Sequence, residues 1–171
     1  MNAETFLIDT NALITPYNSY YSFDIAPSFW EKLKLYIADG TIAILDLVYD
    51  EVSKGNDLLT NWLQDICAKS FIDHVSSNII GNYGKVLESI QNNPCYSEAA
   101  LRKWSEDSVA DPWLIAAAME HNFTIITLEQ PNGNLNAKNP TKSVKIPDIA
   151  AAFYVKSESL FYMMRKLDFV F

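Results

Sequence analysis

The sequence predicts an α/β fold built on a parallel sheet with helices on both faces. Three short apolar runs carry that reading first: Thr5-Phe6-Leu7-Ile8-Asp9, Thr41 to Leu45 and Phe123 to Leu128. They do not alternate polar with apolar, which is the pattern of strands buried on both sides. Second, segments with helical periodicity lie between them. Third, strand and helix alternate along the chain, which closes into a parallel sheet through helical crossovers. No internal repeat, low-complexity tract or Gly/Ser linker interrupts the 171 residues. Residues 1–171 are therefore expected to form one domain, a length that can bury a core without disulfide or metal staples.

Each element has its own signal. Ser28-Phe29-Trp30-Glu31 has the spacing of a capping box, opening a helix with Phe29, Leu33, Tyr36 and Ile37 on one side and a stop near Asp39-Gly40. A short helix follows the second strand and includes Leu47, Val48 and Glu51. Asp57 is placed to cap a helix striped by Leu59, Trp62, Leu63 and Ile66. Phe71 to Val75 alternates and is a weaker fourth strand. Ile79, Ile80, Tyr83, Val86, Leu87 and Ile90 form the next stripe, ended by Asn93-Pro94. Glu98 to about Asp107 and Pro112 to His121 read as two further helices. Ser157 to Leu167 reads as the last, with Leu160, Phe161, Met164 and Leu167 inward.

Composition removes several function classes. Hydrophobic residues make up 49% of the chain, with four Trp, nine Tyr and nine Phe, too many for a disordered protein. The longest apolar stretch, Ile149 to Val155, is far short of the ~20 residues a bilayer requires. Met1-Asn2-Ala3-Glu4 lacks the basic opening of a signal peptide, so a cytoplasmic protein with no membrane partner is expected. The net charge of −8, from 13 basic and 21 acidic residues, argues against gripping nucleic acid by a broad basic face. It leaves room for an enzyme that takes its positive charge from metal ions. Cys67 and Cys95 are expected to be reduced thiols, and with His74 and His121 the only histidines, a Cys/His zinc site is disfavoured. A metal here would be held by carboxylates, which favours Mg²⁺ or Mn²⁺.

Four acids fall where α/β sites gather, at the carboxyl ends of strands. Asp9 ends the first strand, Glu51 lies in the helix after the second, Asp111 opens the Trp113-Leu114-Ile115 helix, and Glu129 follows the Phe123–Leu128 strand. Like charges at ~4 Å repel by about 1 kcal/mol in water and about 4 at an effective dielectric near 20. Such a group persists when cations neutralise it or when some members keep protons. Plainer roles exist for each: Asp111 before Pro112 as an N-cap, Asp9 in a turn with Thr10 and Asn11, Glu129 as a solvated loop charge. Glu51 is the most telling. At 100° per residue it projects between Leu47 and Val48 on the apolar side, while Asp50 and Lys54 face the other flank.

Taken together, FLIDTNALI, YDEVSKG, ADPWLIAAAMEHN and TIITLE resemble, in order and spacing, the PIN-domain family of metal-dependent nucleases. SYYSFDIAPSFW and VKIPDIAAAF are similar to free-standing PIN-like proteins of the kind found as the toxin in VapC-type toxin–antitoxin pairs. The resemblance implies a three-layer α/β/α sandwich with a central, mainly parallel sheet, and hydrolysis of RNA phosphodiesters with Mg²⁺ or Mn²⁺. Asp9, Glu51 and Asp111 match the family's acidic positions, and Glu129 stands where the family often has Asp, with Thr127 beside it. In this reading Asp9 and Asp111 bind the ion directly. Glu51 binds through water or orients the nucleophile, with Thr10 supporting and Asn11 orienting the first acid. An inhibitory antitoxin partner and a homodimer are implied by the same resemblance.

The residues agree with a metal mechanism by what else is missing. No Ser-His-Asp or Cys-His set lies near a strand end. Asn11 stands where an aspartyl-phosphate DxDxT loop would need its second Asp, and no P-loop or GxGxxG is present. A non-catalytic RNA-binding or interaction module on the same fold remains the alternative. For substrate contacts, Lys138 and Lys142 in the Asn-rich 130–144 loop are candidates for phosphate, against the plain reading of a solvated loop. Tyr20, Tyr21 and Phe23 offer either a stacking surface for a base or core packing.

Overall fold

The computed structural model describes residues 4–67, of which Cys67 by its backbone only, and residues 71–170. The three apolar runs form the centre of a five-stranded parallel sheet. Its strands are β1 (Phe6–Ile8), β2 (Ile42–Leu45), β3 (Phe71–Ile72), β4 (Thr124–Ile126) and β5 (Ser157–Glu158), in the order β3-β2-β1-β4-β5. β1 is central and wholly buried, pairing Phe6 with Ile42 on one side and with Thr124 on the other. That double burial is why its sequence is continuously apolar.

The helices are α1 (Asn11–Ser19), α2 (Pro27–Ala38), α3 (Asp46–Ser53), α4 (Leu58–Cys67), α5 (Ser77–Gln91), α6 (Glu98–Trp104), α7 (Asp111–His121), α8 (Ile146–Ala152) and α9 (Leu160–Lys166). They flank the sheet as a three-layer α/β/α arrangement. α2 packs on β2 and α4, whereas α7 packs on β4, α5 and α8. α7 is buried from Pro112 to Ala118, so its apolar character runs around the helix instead of forming a stripe. On the α2 side an aromatic cluster fills the core, with Trp30 5.0 Å from Trp62 and 4.6 Å from Phe23 between ring centres. Tyr21, 4.8 Å from Phe29, belongs to the same packing, while Tyr20 is exposed. Packing therefore accounts for Tyr21 and Phe23.

Several boundaries differ from those expected. α2 begins at Pro27 with Ala26 as its N-cap, so Ser28 lies inside the first turn and the Ser28–Glu31 box is not made. Proline's fixed φ suits the first helical position and takes precedence over the serine. Asp57 does cap α4, accepting from the Thr60 N–H at 3.0 Å. The helix expected from Ser157 starts only at Leu160, because Ser157-Glu158 adds to the sheet as β5. The later start shifts its inward face: Leu160, Met163 and Met164 are buried and Phe161 is exposed. Ile80 is likewise exposed on α5. α1 and α8 were not anticipated; each carries a proline and a short apolar face. Cys95 is a free thiol, and the side chain of Cys67 lies outside the described residues. No helix among the described residues is long and apolar enough to cross a membrane.

The two cap assignments make a paired test. Asp57→Ala should cost about 1 kcal/mol of unfolding free energy, as loss of a working N-cap does. Ser28→Ala should stay within about 0.5 kcal/mol. Urea unfolding of both variants checks the order, and a larger loss for Ser28→Ala would overturn it.

Candidate functional site

The strand order places a topological switch between β1 and β4, since the chain leaves β1 toward β2 and leaves β4 toward β5. Crossovers departing to opposite sides leave a crevice outside the carboxyl ends of those two strands. Asp9 follows β1, and Thr127-Leu128-Glu129 follows β4, so the two rims of the crevice carry the residues singled out in the sequence.

Asp9 is 3% exposed. Its N–H donates to the Ile126 carbonyl at 2.9 Å, fixing the strand end, and its Oδ2 accepts from the Thr127 hydroxyl at 2.7 Å. Burial raises its pKa to about 6; the Thr127 bond opposes that rise, and the charges of Glu129 and Glu51 reinforce it. Asp111 is pushed up to about 7, by burial first and then by Asp9, Glu129 and Glu51, with Lys103 pulling the other way. Asp9 and Asp111 thus both lie in the fields of Glu51 and Glu129. Asp111 is the first residue of α7, with Ala110 at the cap position and no side-chain capping bond. The N-cap reading of Asp111 is therefore not realised.

Glu51 is half-buried on α3, and its Oε2 accepts from the Thr10 hydroxyl. Asp50 is exposed, and Leu47, Val48 and Val52 are buried, which is the helix register read from the sequence. Glu129 is held differently. Lys145 Nζ donates to its Oε1 at 2.8 Å and the Ile146 N–H donates to its Oε2 at 2.8 Å. It is not a solvated loop charge: both oxygens are engaged and a lysine offsets its negative charge. Lys145 is the residue that sequence reasoning missed. Its signal is the lysine-bearing stretch after Glu129; Lys138 and Lys142, the candidates from that stretch, are both exposed. Among the described residues neither forms an ion pair with the acids.

Asn11 acts one step further back than expected. Its Oδ1 accepts from the Leu128 N–H at 2.9 Å and its Nδ2 donates to Thr127 Oγ1 at 3.4 Å. The Glu129 N–H also donates to Thr127 Oγ1, at 3.1 Å. Thr127 is the group that touches Asp9; Asn11 clamps the end of β4 so that Thr127 stays in place.

Among the described residues no lysine or arginine forms a salt bridge with Asp9, Glu51 or Asp111. Their donor set is all carboxylate oxygen, which suits a hard divalent cation such as Mg²⁺ or Mn²⁺ and not a thiolate-bound metal. The described residues also contain a tighter group, Asp46, Asp73 and His74, whose ligand atoms all lie within 4.8 Å of one another. It sits at the ends of β2 and β3. There His74 Nδ1 and Asp46 Oδ2 share a 2.7 Å hydrogen bond, and the His74 ring packs edge-on to Trp113 at 4.7 Å. Asp73 makes its own turn, accepting from the Val75 N–H at 3.0 Å. A hydrogen-bonded pair beside a turn residue explains that proximity.

Residues 6–171 match the model of a protein family described as a domain of unknown function (DUF4411). The chain belongs to that family. No curated protein matches the sequence. Among solved structures, a similar chain comes from VapBC2 of Rickettsia felis, bound to a DNA fragment from their promoter. It is 18% identical, with 91% of this chain and 98% of that chain covered and a TM-score of 0.47.

The raised carboxyls give a stability signature. With unfolded values near 4 and folded values of about 6 and 7, the folded chain holds more protons than the unfolded chain between those limits. The stability that these two groups contribute is then fully present below pH ~4 and is lost as the pH rises through ~7. The melting temperature of metal-free protein should fall between pH 5 and pH 8, and Asp111→Asn should flatten that fall. A melting temperature that rises over this interval would contradict the crowding of charge described here.

Proposed function

We propose that this protein is a metal-dependent endoribonuclease of PIN-like type, with Asp9, Glu51 and Asp111 as its cation ligands and Glu129 at the edge of the site. The observation that carries this reading is the convergence of four carboxylates on one crevice, three of them without a salt-bridge partner among the described residues. A folded protein keeps such repulsion where a divalent cation relieves it during function. When bound, Mg²⁺ or Mn²⁺ would lower the pKa of a coordinated water and stabilise charge on the attacking and leaving oxygens.

The chain's own residues do the rest. Thr127 orients Asp9 through its hydroxyl, and Asn11 and the Glu129 N–H hold Thr127. Thr10 occupies Oε2 of Glu51, leaving Oε1 to orient a water or take its proton. Hydrolysis of a phosphodiester then joins the water oxygen to phosphorus and breaks one P–O ester bond. One water proton goes to the base and one reaches the leaving oxygen. RNA as substrate, an antitoxin as inhibitory partner and a homodimer rest on the PIN-like resemblance of the sequence, as does placement in a toxin–antitoxin pair. A cytoplasmic location and a single domain over residues 1–171 belong to the same proposal. Lys138 and Lys142 remain candidates for phosphate contacts at the loop.

Cleavage of single-stranded RNA should require Mg²⁺ or Mn²⁺, and Asp111→Asn should lower the rate at least about a hundredfold, a loss of ~2.7 kcal/mol of transition-state stabilisation. Glu51→Gln should lower it at least about tenfold, whereas the exposed Asp50→Asn should change it less than about twofold. Undiminished cleavage in excess chelator would overturn the metal mechanism. Absence of cleavage with either ion on any tested RNA would favour the non-catalytic module.

A further inference from the structure

A chain with a net charge of −8 has no broad basic face, so a polyanion at its crevice must be held by local cations. Of the ion pairs among the described residues, only Lys145–Glu129 involves one of the four crevice acids. A line of contacts joins that ammonium to the centre of the site. Asp9 Oδ2 accepts from the Thr127 hydroxyl at 2.7 Å, Thr127 Oγ1 accepts from the Glu129 N–H at 3.1 Å, and Glu129 Oε1 accepts from Lys145 Nζ at 2.8 Å. The Lys145 backbone is fixed where it opens α8, its carbonyl accepting from the Asp148 and Ile149 N–H groups at 3.1 and 3.3 Å. Its side chain nevertheless keeps 33% of its surface exposed. The Glu129 bond raises its pKa above the usual lysine value, burial opposes the rise, and the charges of Glu129, Asp111 and Asp148 add to it. The ammonium is therefore charged and lies in the field of Asp111 as well as that of Glu129.

Neutralising Glu129 does not by itself account for this lysine. An ion pair so accessible to water adds little to stability, and Glu129 Oε2 already has the Ile146 N–H as a donor. An ammonium carries three donors, and Glu129 takes one; Nζ makes no other hydrogen bond among the described residues. The remaining donors suit phosphate oxygens, which lysine binds as a compact point charge. We propose that Lys145 grips a backbone phosphate of the substrate beside the bond that is cleaved, with Glu129 aiming the ammonium. The proposal rests on the ribonuclease reading above and assigns that site a contact that reads phosphate and not base.

The test measures fluorescence anisotropy of labelled uridine and adenosine oligoribonucleotides over a range of salt in Mn²⁺. The full chain carries Asp111→Asn throughout to suppress turnover. Adding Lys145→Gln should weaken binding at least about fivefold, equally on both RNAs, and lower the slope of log affinity against log salt by about 0.7. Lys145→Arg should stay within about twofold, because the charge is kept. Lys138→Gln and Lys142→Gln should each cost less than Lys145→Gln. The same Lys145→Gln change in Glu129→Gln protein separates grip from neutralisation, and it leaves no unpaired carboxylate to disturb folding. A phosphate contact is lost there too, whereas a lysine that only neutralises Glu129 costs nothing there. A loss confined to protein that retains Glu129, an unchanged salt slope, or no RNA binding by the parent chain overturns the proposal. Cleavage by the wild type beside Lys145-independent binding overturns the contact while the ribonuclease stands. Lys145-dependent binding with no cleavage by the wild type leaves the contact standing and removes the ribonuclease.

Discussion

Like-charge repulsion at the carboxyl end of the central strand is the constraint around which this molecule is organised. Asp9 is buried at the end of β1, in the fields of Glu51 and Glu129, and Asp111 lies in the fields of all three. Burial alone would drive these carboxyls toward their neutral forms, and each neighbouring charge adds to that push. The fold tolerates it because the surrounding sheet is over-determined: β1 pairs on both edges and is buried on both faces. Strain of this kind survives where the scaffold is strong and where a ligand can relieve it.

The residues near the acids divide into two kinds of support. Thr127, Asn11 and Thr10 position Asp9 and Glu51 by hydrogen bonds without supplying charge. Lys145 supplies charge, but to Glu129 alone. That asymmetry leaves Asp9, Glu51 and Asp111 as the electron-rich set and makes Glu129 part of the frame as much as part of the site.

Much of this is legible in the sequence, for physical reasons particular to each residue. The strands β1, β2 and β4 were legible because strands buried on both faces cannot hide polar side chains. The register of Glu51 was legible because a single turn of α3 fixes which side chains share a face with Leu47 and Val48. β5 was not, since two polar residues, Ser157 and Glu158, gain strand character only from pairing with Ile125 and Ile126. Its loss from the sequence reading also misplaced Phe161, by setting the start of α9 too early. Lys145 escaped because it lies 16 residues from Glu129, and a loop's sequence does not reveal which of its lysines turns inward. The capping reading of Asp111 failed for a local reason: the helix begins at Asp111 itself, which frees the carboxylate for the crevice.

The central claim, that Asp9, Glu51 and Asp111 together form a divalent-cation site, is most directly tested by titrating Mn²⁺ into the metal-free protein and measuring heat and proton release. Wild-type protein at pH ~6 should bind Mn²⁺ and release protons, because carboxyls raised to about 6 and 7 must ionise to become ligands. Asp9→Asn should lose most of the binding. Saturable binding that is unchanged in Asp9→Asn, or no binding to the wild type at millimolar Mn²⁺, would contradict the account.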